Sequence, residues 1–209
     1  MSELSGKERR KQQVLAAVED SIRESGSVSF SMKELAQKAH VSFATPFNLF
    51  GKKEDILVEL LNTHLVHQTQ GLEARAAKGK GLENLMLVAV DSCEGYLADQ
   101  ELFRPLLQSI HIRPTERGRG LVSQAQQMWK EALQNCLQDK TIEPDVDLDS
   151  LARQIHLGFR MAVWMWASDV LSNNEFRNQA VFHTLACLLP CATTKGTTLI
   201  KKFAKDRRM

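Results

Sequence analysis

From Ser31 to Lys53 the chain reads SMKELAQKAHVSFATPFNLFGKK. Ser31 and Glu34 have the spacing of a capping box, in which the hydroxyl accepts from the backbone of Glu34 while the carboxylate reaches back to the N–H of Ser31. A helix starting there carries Leu35, Ala36 and Ala39 inward, and the alanines allow a close helix crossing. His40 stands where the chain must reverse, a position that asks for positive φ; His is among the few types besides glycine enriched there. Pro46 is tolerated in the first turn of a second helix, so a cap at Ser42 or Thr45 and a helix barely two turns long, ending near Phe50, are predicted. A helix that short persists only if its apolar side is pinned. Val41, Phe47 and Phe50 are expected inward, with Phe43, Ala44, Thr45, Asn48 and Leu49 outward. Two helices joined by a tight turn present the second one to a major groove of double-stranded DNA.

Bond-making chemistry finds less support. The chain has no Glu-x-x-His, no Gly-rich phosphate loop and no nucleophile-elbow serine. Cys187 and Cys191 share a helix face with His183 nearby, which is too few ligands for a zinc site, and His64 with His67 lacks an acidic or thiol partner. A thiol enzyme built on Cys93 or Cys136 would need a paired histidine that the sequence does not place. The expectation is a protein that is not an enzyme, with no cofactor and no metal.

The elements that must position the 31–53 segment are helical. Strand-like alternation is missing and apolar residues recur at three and four, so the chain is read as all-α. Predicted helices run from about Lys7 to Glu24, from Lys53 to Lys78, from Leu82 to Leu97, across Leu102 to Ile110 with Pro105 as start or kink, and from Leu121 to Gln138. "IRPTERGRG" is expected to be a basic linker. Two apolar helices follow, from about Asp147 to Leu171 and from Asn174 to Leu189, and the basic tail from Lys195 onward is read as a solvated end.

Among 209 residues, 43% are hydrophobic and 25% charged, enough for a small domain joined to a larger one. The net charge of +2 is uneven: residues 1–53 hold nine Lys/Arg against six Asp/Glu, the rest 18 against 19. That asymmetry favours a polyanion at the N-terminal end. Four cysteines fit reduced, mostly buried thiols, and the longest apolar-rich run, Leu157 to Ala167, is broken by Arg160. A cytoplasmic protein without membrane association is expected.

The stretch from Val14 to Leu57 resembles the N-terminal domain of TetR/AcrR-type transcriptional regulators. Gly26, Leu35-Ala36, Ala39, Val41-Ser42, Phe47, Phe50 and Lys53-Glu54 stand at family spacing. His40 replaces the usual Gly, Pro46 a Leu, Phe47 a Tyr and Leu49 a His. Without the hydroxyl of Tyr, Phe47 is expected to act in the core. The resemblance implies residues 1–52 as a helix-turn-helix DNA-binding domain and 53–209 as a helical ligand-binding and dimerisation domain. It implies a homodimer on an inverted-repeat operator, with Thr45 and Asn48 toward bases or phosphates and Lys53 on a phosphate. The candidate DNA-contacting set is Ser31, Lys33, Ser42, Phe43, Ala44, Thr45, Asn48, Leu49 and Lys53. Phosphate contacts set orientation and base-edge contacts set sequence preference.

For the larger domain, Met86, Val90, Cys93, Met128, Trp129, Phe159, Arg160, Trp164, Met165 and Trp166 are the candidate lining of a pocket for a small, largely apolar effector. The same residues could simply fill a core. The helices at about 147–171 and 174–189 are the expected dimer pair, with Gly158 and Ala162 permitting close approach. The function expected is a ligand-responsive repressor released from its operator by the effector. The alternative is a DNA-binding regulator or architectural protein without one.

Overall fold

The computed structural model describes residues 5–76, 81–110 and 116–206. Ten α-helices make up the described chain: α1 Gly6–Ser25, α2 Met32–Lys38, α3 Ala44–Phe50, α4 Lys53–Ala76, α5 Gly81–Leu97, α6 Gln100–Ser109, α7 Glu116–Gln138, α8 Leu148–Ala167, α9 Asn173–Leu188 and α10 Thr194–Asp206. Among the described residues there is no strand, only an isolated bridge between Ile142 and Ala192. The all-α reading holds. Part of the expected basic linker is helical, since α7 begins at Glu116, and residues 111–115 lie outside the described ones.

Two compact units form: residues 1–66 with 99–119, and residues 67–98 with 120–209. In the first, Val14, Val18 and Ile22 of α1, Leu35 of α2, Phe50 of α3, Ile56 and Leu60 of α4, and Leu102, Phe103 and Leu106 of α6 are buried. The unit therefore takes in α6, which packs against α1. Arg23 on α1 ties the two by donating to both oxygens of Asp99, at 2.9 and 2.6 Å, and to Glu19, which His64 of α4 meets at 3.1 Å. Hydrogen bonding to Arg23 holds the Asp99 carboxyl below the usual carboxylate range.

In the second unit, α9 packs on α8 and α5. Its centre is aromatic: Trp166 stacks on Phe176 at 5.3 Å, and Phe159 meets Trp129 at 5.7 Å and Phe176 at 6.2 Å. Both long apolar helices start from side-chain caps. Asp147 accepts from the N–H groups of Asp149 and Ser150, and Ser172 forms a capping box with Glu175. Gly158, read as opening a dimer contact, is used within the chain: a Cβ there would lie 2.0 Å from Nε2 of His183, whose ring contacts the Gln154 carbonyl at 3.0 Å.

The basic C-terminal segment is not a solvated end as far as it is described. It forms α10, with Ile200 buried. Gly196 lets its backbone approach the 140–142 turn, since a Cβ would sit 1.9 Å from the Thr141 carbonyl oxygen. No helix among the described residues is long and apolar enough to cross a membrane.

Candidate nucleic-acid interface

The capping box at the start of α2 forms. Glu34 N–H donates to Ser31 Oγ at 3.2 Å, and Ser31 N–H donates to Glu34 Oε2 at 2.7 Å. Those bonds hold the exposed Glu34 carboxyl below the usual carboxylate range. At its other end α2 stops on a Schellman motif, with Val41 N–H donating to the Ala36 carbonyl at 3.0 Å and His40 N–H to that of Gln37 at 3.1 Å. The motif requires a left-handed residue, and His40 supplies it at φ 52°. Leu35, Ala36 and Ala39 are buried at the crossing.

The helix after this turn differs from expectation in one respect. Phe43 occupies the cap position of α3 and no side chain caps the helix; Ser42 and Thr45 hydroxyls instead meet each other at 2.8 Å. Pro46 thus falls at the third helical position and, with Phe50 four residues on, forms the buried side. Phe47, expected in the core, is turned outward by the same register. It is 44% exposed and Phe43 is 59% exposed, the two rings meeting edge to face at 5.5 Å. The outer surface is completed by Ser42, Ala44 and Asn48, all exposed, with Thr45 and Leu49 half-buried. Not one residue of α3 is charged.

Lys33 is exposed on α2, beside a shallow open hollow of ≈ 360 Å³ that it lines with Ala36, Gln37, Val41 and Phe43. Lys53 is placed differently from the phosphate-pairing role. Its Nζ donates to the carbonyls of Val28 and, at 2.6 Å, Phe30, and lies 4.2 Å from the centre of the Phe30 ring. Burial there lowers the amine below the ordinary lysine value. The side chain fastens the α1–α2 loop to the start of α4, which makes it a positioning group for the helix-turn-helix.

The pocket candidates separate into three groups. Met86, Cys93, Trp129, Phe159 and Trp166 are buried, and Val90, Met128, Arg160 and Met165 half-buried. Trp164 is 51% exposed, on a face of α8 shared with exposed Leu157 and Met161, so it is not an interior residue. Trp166 does not offer its indole N–H freely, because it donates to Asn173 Oδ1 at 2.8 Å. His156, which no sequence motif marks, is buried in the same unit, and neither ring nitrogen has a hydrogen-bond partner among the described residues. Burial, reinforced by the Arg160 charge, lowers its pKa from 6.5 to about 4. The Cys136 thiol is pushed up to about 12 by burial, and burial also raises Cys187 and Cys191, which leaves these thiols poor nucleophiles at neutral pH.

No protein-family model matches the sequence, and no curated protein matches it significantly. Solved structures do match the fold. FadR of Thermus thermophilus, a TetR-family transcriptional repressor in complex with lauroyl-CoA, superposes with a TM-score of 0.71 at 18% identity over 85% of this chain and 93% of its own. FadR of Bacillus subtilis, in complex with stearoyl-CoA, gives 0.65 at 18% identity over 85% and 97%. SmeT, the repressor of the Stenotrophomonas maltophilia multidrug efflux pump SmeDEF, gives 0.64 at 14% identity over 88% and 91%. The chain has the fold of TetR-type regulators.

Proposed function

We propose that this chain is a TetR-type transcriptional repressor: a cytoplasmic homodimer that holds an inverted-repeat operator on double-stranded DNA and releases it when a small, largely apolar effector binds. The observation that carries the reading is α3 itself. It is a two-turn helix held on α2 by a Schellman turn, pinned by Pro46 and Phe50, with Phe43, Ala44, Phe47 and Asn48 outward. A helix so supported gains nothing from that outward face unless something is docked on it, and a major groove suits its width. Residues 1–52 would form the reading domain, with Ser31, Lys33, Ser42 and Thr45 on the flanks as candidates for backbone contact.

Dimerisation is supported by the outer face of α8 and α9. Leu157, Met161 and Trp164 recur at i, i+4 and i+7 on α8, and Phe182, 57% exposed, and Leu189 are exposed apolar residues of the helix packed on it and of its turn. A face of that kind in an α-helical protein is best buried against its symmetry mate as a four-helix packing. Trp164 is assigned to this interface.

The effector reading draws on the buried aromatic centre of the second unit and on the two fold relatives solved with acyl-CoA. The remaining candidates, Met86, Val90, Cys93, Met128, Trp129, Phe159, Arg160, Met165 and Trp166, are kept as its lining. Such a ligand must bind one spacing of the two α3 helices better than the other, because equal affinity for both shifts nothing. Helix α4, which runs from the first unit into the second, is the natural lever. The test is binding of the full chain to DNA from upstream of its own gene against random DNA at fixed salt, then with lauroyl-CoA added. Operator-selective binding weakened by the ligand supports the repressor. Selective binding unmoved by that ligand and by small apolar compounds supports a regulator without an effector, and binding no better than to random DNA contradicts both.

A further inference from the structure

We infer that this chain reads its operator chiefly through the C5-methyl groups of thymine, with Phe43 and Phe47 as the reading side chains; the inference rests on α3 being the DNA-reading helix. The surface of α3 and its cap residue offers two benzene rings, Phe43 and Phe47, and a single carboxamide, Asn48, and no charge of either sign. Arginine and lysine are the usual readers of guanine, through its O6 and N7 acceptors, and α3 has neither. In the major groove the one apolar group a base presents is the methyl of thymine. The rings are set for such contact. Phe43 and Phe47 brace each other edge to face at 5.5 Å, and Phe43 forms one wall of the apolar hollow completed by Ala36 and Val41.

The surroundings select DNA as the occupant of this apolar surface. Lys33 lines the same hollow and Lys52 is exposed just beyond α3; of the nearby acids, Glu34 caps α2 and Asp55 accepts from the backbone of Lys52 at 3.4 Å, while Glu54 is exposed on the first turn of α4. An apolar centre with lysines at its edge matches a groove floor bearing methyl groups between two phosphate strands. Two exposed phenylalanines, one at the cap of a seven-residue helix and one on its surface, would otherwise be an aggregation liability.

The test uses the full chain. Binding sites are selected from random duplexes, and the selected duplex is then made with deoxyuridine in place of thymidine, which removes only the methyl groups. Each lost methyl should weaken binding roughly fourfold, so full replacement across both half-sites should cost on the order of tenfold to a hundredfold. Phe43→Ala with Phe47→Ala should weaken the thymine duplex and bind both duplexes alike; Phe43→Ala alone, at the more exposed position, should narrow the difference if the double variant is unstable. Wild-type binding to the two duplexes within twofold would overturn the inference. So would a thymine preference that survives both phenylalanine changes, or selected sites rich in G·C and free of thymine. Failure to select any sequence would instead overturn the DNA-reading role of α3.

Discussion

Replacing His156 by leucine should stabilise this protein, and by more at low pH than at neutral pH. The residue is 5% exposed, and neither ring nitrogen has a hydrogen-bond partner among the described residues. Leaving a buried polar group unsatisfied costs about 1–3 kcal/mol, which an apolar side chain of similar size would not incur. The charge adds a pH-dependent part. In the unfolded chain the imidazole titrates near 6.5, whereas in the fold it does so at about 4. Between these values the unfolded chain binds the proton and the fold does not, so wild-type stability falls as pH drops through 6.5 and levels off below 4. At roughly 1.4 kcal/mol per pH unit, the wild type should lose about 2 kcal/mol from this group between pH 7.5 and 5. Carboxylates titrate in both proteins and largely cancel in the difference. Urea unfolding at both pH values and one protomer concentration provides the measurement, with m checked for constancy. The advantage of His156→Leu should grow by about 2 kcal/mol on acidification. A variant less stable than wild type by the same amount at both pH values would refute the reasoning, because it would mean that the imidazole is hydrogen-bonded in the fold.

Three further outcomes follow from particular contacts. Lys53→Met removes two hydrogen bonds and a cation–π contact, and should lower stability by about 1–3 kcal/mol while leaving the salt dependence of DNA binding unchanged; a salt slope shallower by about one would show a phosphate contact instead. Gly158→Ala places a Cβ 2.0 Å from the His183 ring and should cost about 1–3 kcal/mol in a thermal melt. Most of that loss should return in Gly158→Ala with His183→Ala, and strict additivity would contradict the clash. Trp164→Glu with Phe182→Glu, both at exposed positions, should give a folded monomer by sedimentation that has lost operator binding; an unchanged dimer would move the interface off α8 and α9.

Local signals in the chain were clear wherever a single residue type meets a single backbone demand. Ser31 with Glu34 announces the start of α2, and His40 takes the left-handed turn that its place in the pattern requires. The apolar periodicity located the helices to within a few residues for most elements. Phe47 was misplaced because a proline was counted as a helix constraint and not as an apolar surface. Once Pro46 sits at the third helical position, it and Phe50 fill the inner side, and Phe47 must turn out. Trp164 was misplaced because a helix apolar on nearly every face has two kinds of burial available, a core and an exposed stripe suited to a second subunit, and composition does not distinguish them. The return of α6 to α1 through Arg23 and Asp99 joins residues 76 positions apart, which no local pattern announces. Helix α10 did leave a signal, since Leu199, Ile200 and Phe203 recur at helical spacing within the lysines.

The most direct test of the central claim is a footprint of the full chain on a selected duplex, at fixed salt and with the protein-to-DNA ratio measured. Two protomers should protect two major-groove segments about one helical turn, roughly 10 base pairs, apart, and Asn48→Ala should weaken that protection without changing the fold. Protection of a single segment, or protection that random DNA removes as readily as the selected duplex, would contradict the account.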